Sequence, residues 1–224
     1  MKKCKICRIL DIIISLMTII ILSPILIIIM IFLRLTNERK VFFLQERIGK
    51  FGKKFNVIKF VTMFENSPTI GSRSITIKDD PRILPFCNIL RKLKINELPQ
   101  LFNIIKGDMS LVGPRPLTEE VLSLYKSEKD KVLSVVPGLT GLGSLIFSDE
   151  EALCPEGADP IEFYKKIIVP YKLEVELYFL KYNSFKLWLY IILLTIYVLI
   201  FKNKKWIWKI FKDLPPPPKE VQKF

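Results

Sequence analysis

Apolar positions crowd the two ends of the chain and thin out between them. From Ile12 to Leu33 the run IIISLMTIIILSPILIIIMIFL carries no charged residue. As one helix its roughly 22 residues would reach about 33 Å, enough to cross a bilayer core. No small-residue cleavage site follows, so a removed signal peptide is not expected. Two features point away from a plain spanning helix and toward a re-entrant one, which dips in and returns to the cytoplasmic face. Ser23-Pro24 stands mid-run, where proline deletes a backbone hydrogen bond and bends or breaks the helix. A break inside lipid needs protein neighbours or a serine side chain to satisfy it. Basic residues also flank both ends: Lys2, Lys3, Lys5 and Arg8 before, Arg34, Arg39 and Lys40 after. A spanning helix normally has an asymmetric Lys/Arg distribution; it remains the alternative.

The second apolar run, Leu187 to Phe201 (LWLYIILLTIYVLIF), is followed by KNKKWIWKIFK. Its roughly fifteen residues reach only about 22 Å, short of a span. Trp206 and Trp208 among lysines predict an interfacial anchor, with a buried core helix as the alternative. Pro215 to Pro218 predict an extended end without a fold.

Between these runs the chain is polar enough for a soluble domain. VFFLQERIG alternates loosely, and KKFNVIKFVTMF is rich in β-branched and aromatic residues. With GKFGKK between them they predict a β-hairpin. From Pro81 the pattern turns helical, through ILPFCNILRKLK and INELPQLFNIIKG, with Gly107 as a stop. TEEVLSLYKSEKDKVLSV opens at Thr118 with acids in the first turn. DPIEFYKKIIVPYKLEVELYFLKY reads as helix broken at Pro170. The expected fold class is α+β and mainly helical. Its parts are a re-entrant membrane helix (1–40), a cytoplasmic domain (41–183), an interfacial helix (184–212) and a disordered tail (213–224). No internal repeat, P-loop or G-x-G-x-x-G after a strand is present, which argues against a Rossmann-type nucleotide domain.

Composition narrows the chemistry. The formal charge is +13 and there is no histidine, so histidine bases, Ser-His triads and histidine metal ligands are excluded. A basic surplus suits anionic partners such as nucleotide-sugars, lipid phosphates or headgroups; a basic membrane-surface protein without an anionic substrate is the alternative. A nucleic-acid partner rests on charge alone and lacks any recognition element. Cys4, Cys7, Cys87 and Cys154 are read as reduced and structural. Cys4-x-x-Cys7 sits before an apolar run rather than in a redox domain.

The densest signal is GDMSLVGPRP, Gly107 to Pro116. Gly113-Pro114 and Pro116 enforce an extended, rigid path around Arg115. A guanidinium held that way grips phosphate bidentately; a structural turn with a surface arginine is the alternative. INELPQLFNIIKGDMSLVGPRPL resembles the signature of the bacterial sugar transferases, the monotopic phosphoglycosyl transferases. RILDIIISLMTIIILSPILIII resembles their re-entrant helix with its Ser-Pro break, and QERIGKFGKKFNVIKFVTM their R-x-G-x-x-G-x-x-F stretch. DDPRI and VPGLTGLGS also fit, so the likeness runs from about Arg8 to Tyr182.

The resemblance implies transfer of a sugar-1-phosphate from a UDP-sugar to polyprenol (undecaprenyl) phosphate, releasing UMP. This would begin a capsule, O-antigen, exopolysaccharide or glycoprotein glycan. It implies Mg²⁺, membrane lipids as partners, no nucleic acid, and a place on the cytoplasmic face of a bacterial inner membrane; a homo-oligomer is left open. By resemblance Glu97 holds the metal, Asp108 and Arg115 serve catalysis, and Arg115, Lys59, Arg91 and Arg47 bind substrate phosphate. Ser23 and Pro24 make the membrane break.

One position departs. The family motif reads Asp-Glu, its Asp attacking phosphorus, whereas this chain has Asn96-Glu97, and an amide is a poor nucleophile. Four readings follow. Glu97 attacks; or Asn96 orients the acceptor for direct transfer; or a carboxylate from SDEEALCPEGADP (Asp149, Glu150, Glu151, Asp159) substitutes; or the chain is a non-catalytic membrane adaptor or substrate-binding protein. Val61, Leu84-Pro85 and Cys87 also depart, which is expected to weaken a phosphate or nucleotide contact. Lys59, Arg82 and Arg91 either keep that role or are solvated charges.

Overall fold

In the computed structural model, which describes residues 5–36, 39–67, 80–150, 153–155 and 157–221, the N-terminal run forms one helix, α1 (Lys5–Leu35). Pro24 lies inside it, so Ser23-Pro24 does not end the helix as a break would. The reason is local. Pro24 has no N–H for the carbonyl of Ile20, four residues back. The Ser23 hydroxyl donates to that carbonyl instead, at 2.8 Å.

The two ends of α1 rest on the same body. Near its start, Arg8 donates to the carbonyls of Ile104 (2.6 Å) and Ile105 (3.0 Å). Asp11 accepts from the Ser110 hydroxyl (2.5 Å) and from the Trp188 indole N–H (3.2 Å). Near its end, Ile29 and Leu33 are buried with Phe60, Val61, Leu84 and Cys87. Between these attachments Ile13, Met17, Ile20, Ile21, Ile25 and Ile28 stand exposed.

The hairpin forms as expected. β1 (Phe42–Ile48) pairs antiparallel with β2 (Lys54–Phe60), Phe42 opposite Phe60 and Ile48 opposite Lys54. The helical region follows as α2 (Cys87–Lys92), a 3-10 turn over Ile95–Glu97, and α3 (Gln100–Lys106). Gly107 stops α3 at φ 102°, a conformation suited to glycine. Asn103 of α3 docks the hairpin: its side-chain oxygen accepts from the Ile58 N–H (3.0 Å) and its amide donates to the Asn56 carbonyl (2.8 Å).

A second, parallel pair was not expected: β3 (Ser110–Val112) with β4 (Gly138–Thr140). Glycine makes it feasible. A Cβ at Gly138 would lie 2.1 Å from the Gly113 nitrogen, and one at Gly141 would lie 2.3 Å from the Gly113 oxygen. Backbone meets backbone there, with no room for a side chain.

The run after Thr118 is not one helix. It gives α4 (Glu119–Ser123), a 3-10 turn over Lys126–Glu128 and α5 (Lys129–Val132). Thr118 caps α4 as expected, accepting from the Val121 N–H at 3.3 Å. α6 (Leu142–Ile146) and α7 (Pro160–Phe163) come next. The break expected at Pro170 does not occur. A π turn over Tyr164–Ile168 runs into α8 (Val169–Tyr182) and places Pro170 in the first turn of α8. The wider turn accommodates the missing donor.

α9 (Phe185–Phe201) has two apolar faces. Leu187, Trp188, Ile191, Leu194 and Val198 join the core, while Leu193, Ile196, Leu199, Ile200 and Phe201 are exposed. α10 (Lys205–Ile210) follows with Trp206 exposed. One core runs from Ile48 to Leu214, so the 41–183 and 184–212 segments share it. The tail is not featureless where it begins: Leu214 is buried, and the Pro215 carbonyl accepts from the Tyr171 hydroxyl (2.7 Å) and the Trp208 indole (3.4 Å). Cys7, Cys87 and Cys154 are free thiols; Cys4 lies outside the described residues.

Candidate active site

The site forms where the hairpin, the 3-10 turn and the Gly113–Pro116 loop meet. Glu97 leaves the 3-10 turn just after Asn96. Arg115 is carried by the loop after β3, whose backbone is pinned by Gly113 N–H to Thr140 O (2.9 Å) and Gly138 N–H to Pro114 O (2.8 Å). Prolines and ladder bonds together hold Arg115 still. Its guanidinium meets Glu97 in a fork, at 2.5 Å to Oε1 and 3.3 Å to Oε2.

Lys59, on β2, lies 3.8 Å from Glu97 Oε1. Arg47, on β1, donates to the Gln45 side chain (2.6 and 3.2 Å) and the Pro116 carbonyl (3.3 Å), tying the hairpin to the arginine loop. Arg91, on α2, reaches the Thr62 hydroxyl at 3.4 Å and contributes to the field at Lys59. Lys59, Arg47, Arg91, Glu97 and Arg115 are thus brought together. Asp108 is placed differently, its ion pair being with Lys106 (2.9 Å).

Positive charge is in excess here. The Lys59 and Glu97 side chains are only 18% and 14% exposed, and that of Arg115 33%. Burial, then repulsion from Arg115, Arg47 and Arg91, draws the Lys59 ammonium down to about 7 against the pull of Glu97. Burial, then Arg115, draws Arg47 down to about 10. Burial alone would raise the Glu97 carboxyl, but Arg115 and Lys59 outweigh it and hold it well below the usual carboxylate range. Glu97 raises Arg115 in turn. One carboxylate among several buried cations leaves a field that an incoming anion would neutralise.

Arg82 is removed from the set of phosphate ligands. It is buried and forked onto Asp80 at 2.8 and 2.6 Å, and it also donates to the Ser67 carbonyl (3.0 Å). Val61, Leu84 and Cys87 line the apolar seat of Ile29 and Leu33.

Asn96 is buried, and among the described residues its side-chain oxygen has no hydrogen-bond partner. An orphaned amide oxygen next in sequence to a carboxylate is a hard-donor pair. It fits Mg²⁺, which needs few protein oxygens when phosphates supply others. Among the described residues no three His, Cys, Asp or Glu side chains gather as a metal centre.

Sequence reasoning missed the layer behind Arg115. Lys172 and Glu176, one helical turn apart on α8, are both buried. The Glu176 carboxylate accepts from the Arg115 backbone N–H, and burial still pushes it up to about 8. A Cβ at Gly143 would lie 2.5 Å from Glu176 Oε1. The available signal was Lys172 and Glu176 at a four-residue spacing in an otherwise apolar helix face, beside a π turn of the kind that often marks functional sites.

Comparison with known proteins agrees with this geometry. The bacterial sugar transferase family matches residues 2–202. The chain is 38% identical over 146 residues to the exopolysaccharide production protein ExoY of Sinorhizobium fredii, covering 59% of this chain and 65% of that protein. It is 37% identical over 150 residues to the undecaprenyl-phosphate galactose phosphotransferase of Salmonella typhimurium, covering 60% of this chain and 31% of that protein. It is 36% identical over 163 residues to an uncharacterized sugar transferase, EpsL, of Bacillus subtilis, covering 73% and 71%. The chain thus spans less than two thirds of the length of the first two relatives. With nearly its whole length matched, it belongs to the bacterial sugar transferase family.

Proposed function

We propose that this chain is a phosphoglycosyl transferase, moving a sugar-1-phosphate from a UDP-sugar to undecaprenyl phosphate and releasing UMP. The reading includes an initiating role in a surface polysaccharide or glycan. The observation that carries it is the cluster of Arg115, Lys59 and Arg47 around Glu97. Donor and acceptor are both phosphates, and a rigid guanidinium with buried neighbours binds and orients them while stabilising charge in transfer. Arg115 would exchange its fork on Glu97 for phosphate oxygens. Lys59 would regain full charge beside the anion.

Glu97 and the Asn96 oxygen would hold Mg²⁺, which when bound would supply charge neutralisation to the substrate phosphates. Asp108 retains no role in this scheme beyond its contact with Lys106.

The membrane arrangement is read as monotopic, on the cytoplasmic face of the inner membrane. Both ends of α1 are fastened to one domain, and a helix crossing a bilayer leaves its ends on opposite sides. The exposed residues of α1 and α9 form the lipid-facing surface.

The test is UMP release by the full chain in lipid nanodiscs, with Mg²⁺, undecaprenyl phosphate and a panel of UDP-sugars. Release with one donor and its loss in Glu97→Gln would support the reading. No release with any donor, alongside tight UDP-sugar binding, would favour a substrate-binding membrane adaptor.

A further inference from the structure

The last helix carries a charge pattern that neither the core nor the candidate site uses. From Leu177 to Lys212 the chain holds seven lysines and no Asp or Glu. Five of them fall within KNKKWIWKIFK, from Lys202 to Lys212. α9 does not run on into this stretch. Lys202 takes a left-handed conformation (φ 54°), and its N–H reaches back to the Val198 carbonyl at 2.9 Å. That turn makes α10 a separate element, beyond the residues that the family matches.

One lysine fixes the turn. Lys204 is buried and donates to the Ile146 carbonyl at 3.0 Å, with Asp149 Oδ2 at 3.4 Å. Ile207, Phe211 and Leu214 are buried in the core, and the Trp208 indole donates to the Pro215 carbonyl at 3.4 Å. α10 is thus fastened by one face. The rest of it presents Lys205, Trp206, Lys209 and Ile210, all exposed, with exposed Lys202 and Lys212 on either side. Among the described residues none of these four lysines forms an ion pair. The Lys209 ammonium lies 4.8 Å from the centre of the Trp206 ring, which keeps charge and aromatic surface together. Ile200 and Phe201, at the end of α9, are exposed as well. An apolar edge therefore passes directly into a row of ammonium groups.

We propose that this face of α10 binds the headgroups of anionic phospholipids and makes membrane attachment charge-selective. The proposal extends the lipid-facing reading of α9 and does not depend on the transferase reading. Tryptophan and isoleucine suit the boundary between headgroups and acyl chains, and lysines suit the phosphate layer beside it. Lysine is a mobile point charge, which senses negative charge without imposing one ligand geometry. The fit is therefore to a lipid surface, whereas Arg115, held between prolines, is built for a single phosphate. Each such lysine contributes roughly a fivefold gain in binding at an anionic surface, and salt weakens it. Leu193, Ile196 and Leu199, exposed on α9, do not distinguish one headgroup from another; α10 does.

The experiment reads tryptophan fluorescence of the full chain in phosphatidylcholine nanodiscs that contain a minor fraction of brominated lipid. That lipid is phosphatidylglycerol in one sample and phosphatidylcholine in the other. Brominated phosphatidylglycerol should quench about fivefold more strongly or better, and high salt should remove the excess without any change to the protein. Trp206→Phe should remove most of the excess. Joint replacement Lys202→Gln, Lys205→Gln, Lys209→Gln and Lys212→Gln should abolish it, with the melting temperature as in wild type. Equal quenching by the two lipids overturns the proposal, as does an excess that survives salt, the lysine replacements or Trp206→Phe. An excess displaced by one undecaprenyl phosphate per chain, but not by unbrominated phosphatidylglycerol, would make the face an acceptor-lipid site and overturn it too. Quenching by neither lipid also overturns it; flotation of the same protein with liposomes would then leave the lipid-facing reading of α1 and α9 standing.

Discussion

Among the described residues two arginine–carboxylate pairs are forked, Asp80–Arg82 and Glu97–Arg115, and their surroundings differ. Asp80 and Arg82 are two residues apart, with side chains 1% and 7% exposed, and Arg82 also donates to the Ser67 carbonyl. Glu97 and Arg115 come from separate segments, with side chains 14% and 33% exposed. They stand among additional buried cations beside an orphaned amide. The first pair is buried, and it ties Ser67 to the Asp80–Arg82 turn. The second is open and carries surplus positive charge, so it serves to receive an anion. Geometry alone does not separate a structural pair from a functional one; the charge around it does.

The comparison can be broken by substitution. Arg115→Ala and Glu97→Gln are each expected to reduce UMP release by roughly a thousandfold or more while liposome flotation stays as in wild type. Full activity in either would erase the distinction. Arg82→Ala takes the guanidinium away from a buried carboxylate and is expected to cost about 3–5 kcal/mol, read in chemical denaturation. A stable Arg82→Ala that fails to bind donor would reassign that pair to the site. Asn103→Ala removes two bonds that dock the hairpin carrying Lys59 and Arg47. A loss of about 2 kcal/mol is expected, with donor affinity falling alongside stability.

The smallest effect is a change of slope with pH. Glu176 has its carboxyl raised by burial from the ordinary value to about 8. A raised carboxyl binds more protons folded than unfolded between those two values, so its contribution is complete below the ordinary value and fades as pH rises through about 8. Melting temperatures of wild type should therefore fall from pH 5 to pH 8 more steeply than those of Glu176→Gln. Parallel curves would show that the carboxyl titrates normally.

The hairpin was legible because alternation and a glycine-bearing turn leave a clear period, and Gly107 marked the end of α3 as expected. β3 and β4 were not legible: three residues carry no period, and their partners lie far apart in sequence. Arg82 was left between a phosphate role and a solvated charge, and only the fold shows it buried and forked onto Asp80. In the sequence, Val61 and the Leu84-Pro85 and Cys87 stretch read as two departures near a phosphate or nucleotide contact. In the fold Val61, Leu84 and Cys87 are one apolar seat for Ile29 and Leu33, a relation that exists only after distant segments meet. The buried polar pair on α8 gave a faint signal that a mostly apolar helix face obscured.

The fastening of α1 sets an order in time. Arg8 waits for the carbonyl of Ile104, 96 residues later, and Asp11 for the indole of Trp188, 177 residues later. At about 5–20 residues per second, the second interval lasts roughly ten to thirty-five seconds on the ribosome. Throughout that interval α1 is already made, while the indole partner of Asp11 is not. Asp11 can complete its clasp only when α9 emerges, so α1 is made long before it is fully secured.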